Sequence, residues 1–324
     1  MIPLADSASI DPVGLPAATQ VAAGWSAHAA TGCRIEVPDR RLRDAVAAST
    51  KHLLLAAGPP QAAEALDAMG FHVDARRLLL EDPRGAARSS SPGAVLHALA
   101  QHWSLTRDED AARRSVEVIA ALIPRLSSTD PSDAARGHGA LPAIVELLLA
   151  AGEDRAARDV RAIADNASRA EAIAVDLDGL LGSAGSTWTW PGASTGHDLA
   201  ANAALVLGAR GRLLAERDHG LALAPFVPDA WLGQGWELHD APTRSGLLSY
   251  AVRWHGDRPA LLWDLRARTT DAPTVLTAPG LDPTWSTVAP SGDALLAPVA
   301  VPSRASRRGL TIPVSIEPVR RSGT

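Results

Sequence analysis

The chain is poor in cysteine and lacks the signals of export or membrane insertion. Cys33 is the only cysteine among 324 residues, so the chain can form neither an internal disulfide nor a zinc site built on cysteines. The first residues, MIPLADSASI, have neither the basic nor the apolar region of a signal peptide. No apolar run approaches the roughly 20 residues that span a bilayer. We therefore expect a cytoplasmic protein.

Charge and motifs exclude several classes of partner and cofactor. The formal net charge of −5 gives no general attraction to phosphate or to an anionic bilayer, so we predict neither a nucleic-acid nor a membrane partner. No P-loop, GxGxxG or GxSxG motif is present. His97 and His102 lie five residues apart, about 140° apart around a helix axis, which is not a metal-ligand spacing. We predict no metal and no cofactor.

Residues 39–217 have the pattern of packed helices. Apolar residues recur at steps of three and four, which places them on one helix face, and alanine allows helices to approach closely. Gly70 predicts a tight helix–helix turn. A longer helix is predicted from about Asp154 to Ala174, with Val160, Ile163 and Ala167 inward. The clearest predicted stripes are Leu42, Val46, Ser49 and Leu53, and Leu141, Ile144, Val145 and Leu148.

Residues 218–324 have the pattern of short strands, whereas residues 1–38 receive no assignment. LLSYAVRW and PALLWDLRA flank the turn HGDR and predict a β-hairpin, with Leu248, Tyr250 and Val252 on its inner face. Further strands are predicted around Leu221–Phe226, Thr274–Thr277, Ala294–Val301 and Leu310–Ile316. Together they indicate an antiparallel sandwich.

The segment AIAVDLDGLL resembles the first motif of the haloacid dehalogenase phosphatases, with Asp176 and Asp178 as the acidic pair. That chemistry also needs a lysine downstream and a second acidic cluster for magnesium. Lys51 is the only lysine and precedes the motif. We therefore interpret the two acids as residues at a helix terminus.

Several segments resemble actinobacterial proteins with the six-hairpin glycosidase fold of glucoamylase-like and debranching-like enzymes. They touch most of the chain from Arg34 to about Pro298, in the family's order. The resemblance implies an α+β multidomain chain, a partial (α/α) six-hairpin toroid of antiparallel helices followed by a C-terminal antiparallel β-sandwich domain. The segments are RIEVPDRRLRDAVAASTKHLLLAAG, PGAVLHALAQHWSLTRDEDAARR, HGALP, TWTWPGASTGHDLAANAALVLGARGRLL and ALAPFVPDAWLGQGWELHDAPTRSGLLSYAVRWHGDRPALLWDL.

The chain departs from the family where the sugar pocket is expected. HGALP runs directly into an apolar helix rather than an acidic and aromatic stretch, and the family-like WPE reads Trp190-Pro191-Gly192. Glycoside hydrolysis needs two carboxylates flanking the bond. Glu146 and Asp176 alone fall near pocket-lining segments and are the catalytic candidates. The other acids of the helical region are expected on solvated helix faces: Glu64, Asp67, Glu117, Asp165 and Asp178.

A saccharide site is predicted at the motif TWTWPG and the residues that follow it. Trp188 and Trp190 lie two apart before a proline, so an extended backbone points them to opposite faces. An exposed indole there offers an apolar platform for a sugar ring, with His197 and Asp198 as polar groups nearby. His197 and Asp198 also fit the first turn of a helix, where an acid meets the positive end of the dipole.

Three functions remain open at this point. The leading hypothesis is a catalytically degenerate glycosidase-like protein that binds a carbohydrate or a protein partner, because the scaffold is retained while both acidic segments are lost. The alternative is an active glycoside hydrolase or lyase that uses other acids. A third is an assembly subunit that completes its toroid in a homo-oligomer, since an open toroid leaves apolar helix faces bare.

Overall fold

The protein is an α+β chain in the computed structural model, which describes residues 16–55, 58–165, 176–185, 188–189, 198–217, 220–268 and 273–299. In these ranges no helix is both long and apolar enough to cross a membrane. The helices are α1 (Ala18–Ala29), α2 (Arg40–Leu55), α3 (Pro60–Ala68), α4 (His72–Leu80), α5 (Pro83–Ala87), α6 (Pro92–Thr106), α7 (Glu109–Leu122), α8 (Pro131–Ala150), α9 (Asp154–Asp165), α10 (Leu177–Ser183) and α11 (Leu199–Leu213). The strands are β1 (Arg34–Glu36), β2 (Leu214–Arg217), β3 (Gly220–Leu223), β4 (Trp236–Thr243), β5 (Gly246–His255), β6 (Arg258–Ala267), β7 (Val275–Ala278), β8 (Asp282–Thr287) and β9 (Ser291–Leu295).

The helices pack in an order that differs from their order in sequence. The main contacts join α2 to α11, α11 to α3, α3 to α6, α6 to α8 and α8 to α9, so the last helix lies between two of the first. Gly70 between α3 and α4 has a φ of 87°, which confirms the predicted turn. The two predicted stripes on α2 and α8 are confirmed, since all eight residues are buried: Leu42, Val46, Ser49, Leu53, Leu141, Ile144, Val145 and Leu148.

One predicted helix face is only partly correct. Val160 on α9 is buried as expected, but Ile163 is 39% exposed, so its inward placement was wrong. The buried face of α9 is narrow and consists of Ala157 and Val160, because the helix packs mainly against α8. The predicted continuation through Ala167 lies outside the described residues.

The larger sheet has the strand order β1-β4-β5-β6-β9 and every pair in it is antiparallel. The predicted hairpin is confirmed as β5 and β6, with Tyr250 opposite Trp263 and Gly256 at a φ of 67° in the turn. Leu248, Tyr250 and Val252 are buried, as the alternation predicts. β1 comes from the segment that received no sequence assignment and adds a strand beside β4.

The smaller sheet corrects the expectation of purely antiparallel strands. Its order is β2-β3-β7-β8, and β3 pairs with β7 in parallel. The chain leaves β3, forms most of the larger sheet and then returns to β7, a long crossover of the kind that parallel neighbours require. Trp263 of β6 and Trp285 of β8 connect the two sheets, with ring centroids 5.2 Å apart. The strand predicted around Leu310–Ile316 lies outside the described residues.

Helices and sheets share one cluster of buried side chains. Trp231, Trp236 and Trp263 are buried, whereas Trp254 is half-buried. The Tyr250 hydroxyl donates to the Leu213 carbonyl at 2.8 Å and thereby links the large sheet to the end of α11. Burial raises the pKa of Tyr250, so the phenol stays protonated and can donate this bond. The division at residues 38 and 217 stays a prediction.

Gly246→Ala is expected to destabilise the protein by about 2 kcal/mol or more. Gly246 begins β5 at a φ of 139°, and an added Cβ would lie 2.1 Å from the Arg266 carbonyl oxygen. Only glycine adopts this conformation without strain. Chemical denaturation measures the effect. Gly211→Ala, at an exposed turn of α11 with nothing within 4 Å of the added methyl group, is the matched control and is expected to be neutral or stabilising.

Candidate functional site

Helix α3 carries two buried carboxylates at the centre of the helical region. Glu64 is 1% exposed and Asp67 is 0% exposed, so their predicted placement on solvated faces was wrong. The reason is the packing of α3, which contacts α4, α6 and α11 and is buried at every position from Ala62 to Ala68. Buried carboxylates require ionic or hydrogen-bonding partners, and both have them.

Asp67 pairs with two histidines, in each case through the Nδ1 atom of the ring. Its Oδ1 lies 2.8 Å from Nδ1 of His72 and 3.0 Å from Nδ1 of His102. The Asp67 carboxylate accepts a hydrogen bond from Nδ1 of each ring. This fixes the orientation of each ring. His102 is 4% exposed, and its Nε2 has no hydrogen-bond partner within the described part of the chain.

Glu64 is neutralised by residues of α6 and α8. One carboxylate oxygen forms a short ion pair with the Arg136 guanidinium. The other lies 3.2 Å from Nδ1 of His97, within ion-pair range but too poorly aligned for a hydrogen bond. Gln101 also donates to the Glu64 backbone carbonyl at 2.8 Å. Glu64 therefore cross-links α3, α6 and α8.

Two cavities flank this buried cluster, and we name them cavity A and cavity B. Cavity A has a volume of about 700 Å³. On one side lie the helices α4 and α6, which carry His72 and His102, and on the other lies the open end of the β5–β6 hairpin, at Gly246 and Arg266. Cavity B, of about 330 Å³, is lined by His97 and Gln101 of α6 together with Arg210 and Arg244. The two histidines of Asp67 thus face one cavity, and the histidine beside Glu64 faces the other.

Among the described residues, the one carboxylate that lines cavity A is Asp108, which caps α7. It accepts from the Ala111 backbone at 2.9 Å and lies 3.1 Å from the Arg76 guanidinium. Partial burial acts to raise the pKa of Asp108, but the Ala111 backbone N–H and Arg76 outweigh it and hold that pKa below its usual value. Asp108 is therefore ionised at neutral pH.

In the part of the chain that the structure describes, Glu216 is the one carboxylate that lines cavity B. It accepts from Nε of Arg244 at 2.7 Å and lies 4.0 Å from Arg210. Both cavities thus present a single carboxylate that is paired with arginine.

The predicted catalytic residues lie elsewhere. The Glu146 side chain is 56% exposed and pairs with Arg107 at 2.6 Å. Asp176 caps α10 by accepting from the Gly179 backbone at 2.9 Å, while Asp178 lies 3.6 Å from Arg212. The interpretation of these aspartates as helix-terminal residues is confirmed. Neither Glu146 nor Asp176 lines cavity A or cavity B.

The predicted saccharide residues are described only in part. Trp188 has a φ of 56°, so the expected extended backbone was wrong; the chain turns here because the Gly185 N–H donates to the Thr189 carbonyl at 2.7 Å. The Trp188 indole is half-buried and lies 5.8 Å from the Arg41 guanidinium. Asp198 caps α11, accepting from Ala201 at 3.0 Å, as predicted. Trp190 and His197 lie outside the described residues.

Sequence reasoning missed the histidine–carboxylate cluster because it considered each helix alone. The five-residue spacing of His97 and His102 excludes a shared ligand, but it suits two different partners. Glu64 and Asp67 lie three residues apart on α3, and each pairs with one of these two histidines: Glu64 with His97 and Asp67 with His102. The pairing of the α6 histidines with the α3 carboxylates arises only when the two helices pack together.

Across the described ranges, no cluster of three or more histidine, cysteine, aspartate or glutamate side chains could hold a metal ion. Comparison of the chain with protein-family models, with curated proteins and with solved structures found no match.

Proposed function

We propose that this chain is a non-catalytic saccharide-binding protein of the six-hairpin glycosidase type, with a partial helical toroid and a C-terminal β-sandwich. The segments that resemble that family support the scaffold. The mixed α+β architecture is compatible with it, with helices followed by two sheets. The proposal concerns what the chain does with a sugar: it binds one and leaves the glycosidic bond intact.

The observation that carries the proposal is the state of the carboxylates at the two cavities. Hydrolysis needs a pair of carboxyl groups across the bond, one of them with a raised pKa so that it can act as an acid. Cavity A offers Asp108 alone, whose pKa is lowered. Cavity B offers Glu216 alone, which is paired with arginine. Glu64 and Asp67 lie behind the cavities, held by histidine and arginine.

The polar groups around the cavities suit binding. His72 of cavity A and Gln101 of cavity B supply side-chain nitrogens to sugar hydroxyl groups. Trp188, Trp190, His197 and Asp198 remain a second proposed contact region. In that region the Arg41 guanidinium lies 5.8 Å from the centre of the Trp188 ring, which is half-buried and also packs against the core.

Purified protein is expected to show no hydrolysis of α-glucosides, rhamnosides or glucuronides. The reason is that, among the described residues, neither cavity has two carboxyl groups on its wall, one of them with a raised pKa. Release of a chromogenic leaving group over hours, at protein concentrations far above those used for active glycosidases, measures this. Glu146→Gln and Asp176→Asn test the two acids predicted from sequence. Turnover in the wild type that either variant abolishes would overturn the non-catalytic assignment and establish a hydrolase.

A further inference from the structure

Three arginines line cavity A, namely Arg76, Arg266 and Arg268, together with one acid among the described residues, Asp108. Two of these arginines pair with carboxylates: Arg76 with Asp108 and, at 3.8 Å, with Asp110, and Arg266 with Asp240. The pairing of the third arginine, Arg268, therefore decides whether this wall can bind an anion.

Arg268 has no carboxylate within 4.0 Å in the described ranges. Its guanidinium makes one long contact, 3.4 Å to the Ser104 carbonyl. Desolvation is the largest cause that lowers the pKa of Arg268, and repulsion from Arg107 adds to it. Glu216 acts in the opposite sense. An arginine nevertheless stays protonated at neutral pH. Within the described residues its remaining donors have no acceptor, so that an acceptor in the cavity can bind them.

Two imidazoles line the same cavity with their rings fixed. Asp67 accepts from Nδ1 of both His72 and His102. With Nδ1 as the donor, Nε2 of a neutral ring is an acceptor, so it suits a hydroxyl group of a ligand rather than an anionic oxygen. The Nε2 of His102 is buried and has no hydrogen-bond partner in the described part of the chain. The side chain of His72 is 31% exposed, so this ring is the one that a ligand in cavity A can reach.

The rest of the cavity suits an organic molecule rather than a bare ion. Val73, Leu105 and Leu247 contribute apolar surface beside the charged groups. A volume of about 700 Å³ is of the size that small-molecule sites use. A ligand here needs an anionic group and a body that packs on aliphatic side chains.

We propose that cavity A binds a small anionic saccharide, with Arg268 donating to its carboxylate or phosphate oxygens and His72 accepting from one of its hydroxyl groups. This inference rests on the proposed saccharide-binding function and specifies its ligand class. Arg76 neutralises Asp108, the one acid in the wall, so that it does not repel the anion. Guanidinium groups favour such oxyanions because they donate two parallel hydrogen bonds.

Isothermal titration calorimetry of the full chain with four probes tests the inference: glucuronate, glucose 6-phosphate, glucose and inorganic phosphate. Glucuronate or glucose 6-phosphate is expected to bind at least about 10-fold more tightly than glucose, the size of effect that one charge-assisted hydrogen bond gives. The tighter of the two identifies carboxylate or phosphate as the preferred group. Arg268→Gln is expected to weaken binding of the anionic sugar by about 10-fold or more.

Arg253→Gln is the matched control, since Arg253 is an exposed arginine of the same sheet that pairs with Glu237 at another site. It is expected to leave every affinity unchanged, and thermal melting verifies that both variants remain folded. Equal affinity for glucose and glucuronate, with no effect of Arg268→Gln, would overturn the anion site while saccharide binding stands. Phosphate binding that requires Arg268, without binding of any sugar, would support the anion site and contradict the proposed function.

Discussion

Asp67→Ala is expected to lower the free energy of unfolding by about 3–5 kcal/mol, the cost of removing one partner from a buried charged cluster. Asp67 is fully buried and accepts from both His72 and His102. Without it, the Nδ1–H groups of His72 and His102 lose their acceptor. His102 then becomes a buried imidazole whose two ring nitrogens have no hydrogen-bond partner in the described part of the chain. We expect the packing of α4 and α6 against α3 to weaken when the Asp67 carboxylate is removed.

Equilibrium denaturation in guanidinium chloride measures this loss. Asp178→Ala is the matched control, because the Asp178 side chain is 82% exposed and its only ion pair in the described chain is to Arg212 at 3.6 Å. A surface change of this kind is expected to stay within about 0.5 kcal/mol of wild type. Equal midpoints for the two variants would mean that the buried cluster does not hold the helices together.

Trp263→Ala is the second large effect, with an expected loss of about 3–5 kcal/mol. Trp263 is 8% exposed, its indole N–H donates to the Ala289 carbonyl at 2.9 Å, and its ring meets Trp285. Gly292 on β9 approaches the same ring closely, so that a Cβ there would lie 2.9 Å from it. Truncation removes the side chain that joins β6 to β8 and β9.

Thermal unfolding monitored by circular dichroism measures this change as a shift of Tm on the order of 5–15 °C. Leu262→Ala is the control. Leu262 is the neighbour of Trp263 on β6, faces the opposite side of the strand and is 44% exposed. A Trp263→Ala protein that melts within a degree of wild type would refute the account of how the two sheets are joined.

Local elements were predictable from the sequence because they depend on neighbours along the chain. The stripe on α2, the turn at Gly70 and the β5–β6 hairpin follow from periodicity and from glycine. The parallel pairing of β3 with β7 was not predictable in the same way, since it joins strands that are separated by most of the larger sheet. The exposure of Ile163 likewise depends on which helices lie beside α9.

The candidate site was less predictable than the fold. Glu64 and Asp67 carry the usual signature of surface acids, and only the position of α3 between its neighbours makes them buried. Their partners Arg136, His97 and His102 come from other helices. Asp176 and Asp198 were predictable as helix caps, because a cap is a local interaction within four residues.

The central claim is that the chain binds a saccharide without cleaving it, and one titration tests it directly. Protein in excess is incubated with a fluorescently labelled oligosaccharide that carries a uronate group, binding is followed by anisotropy, and the ligand is then recovered and separated by chromatography. We expect saturable binding with the oligosaccharide recovered at its original length. Recovery of shortened products in proportion to time and protein concentration would contradict the claim, and an anisotropy that does not change at any protein concentration would contradict it equally.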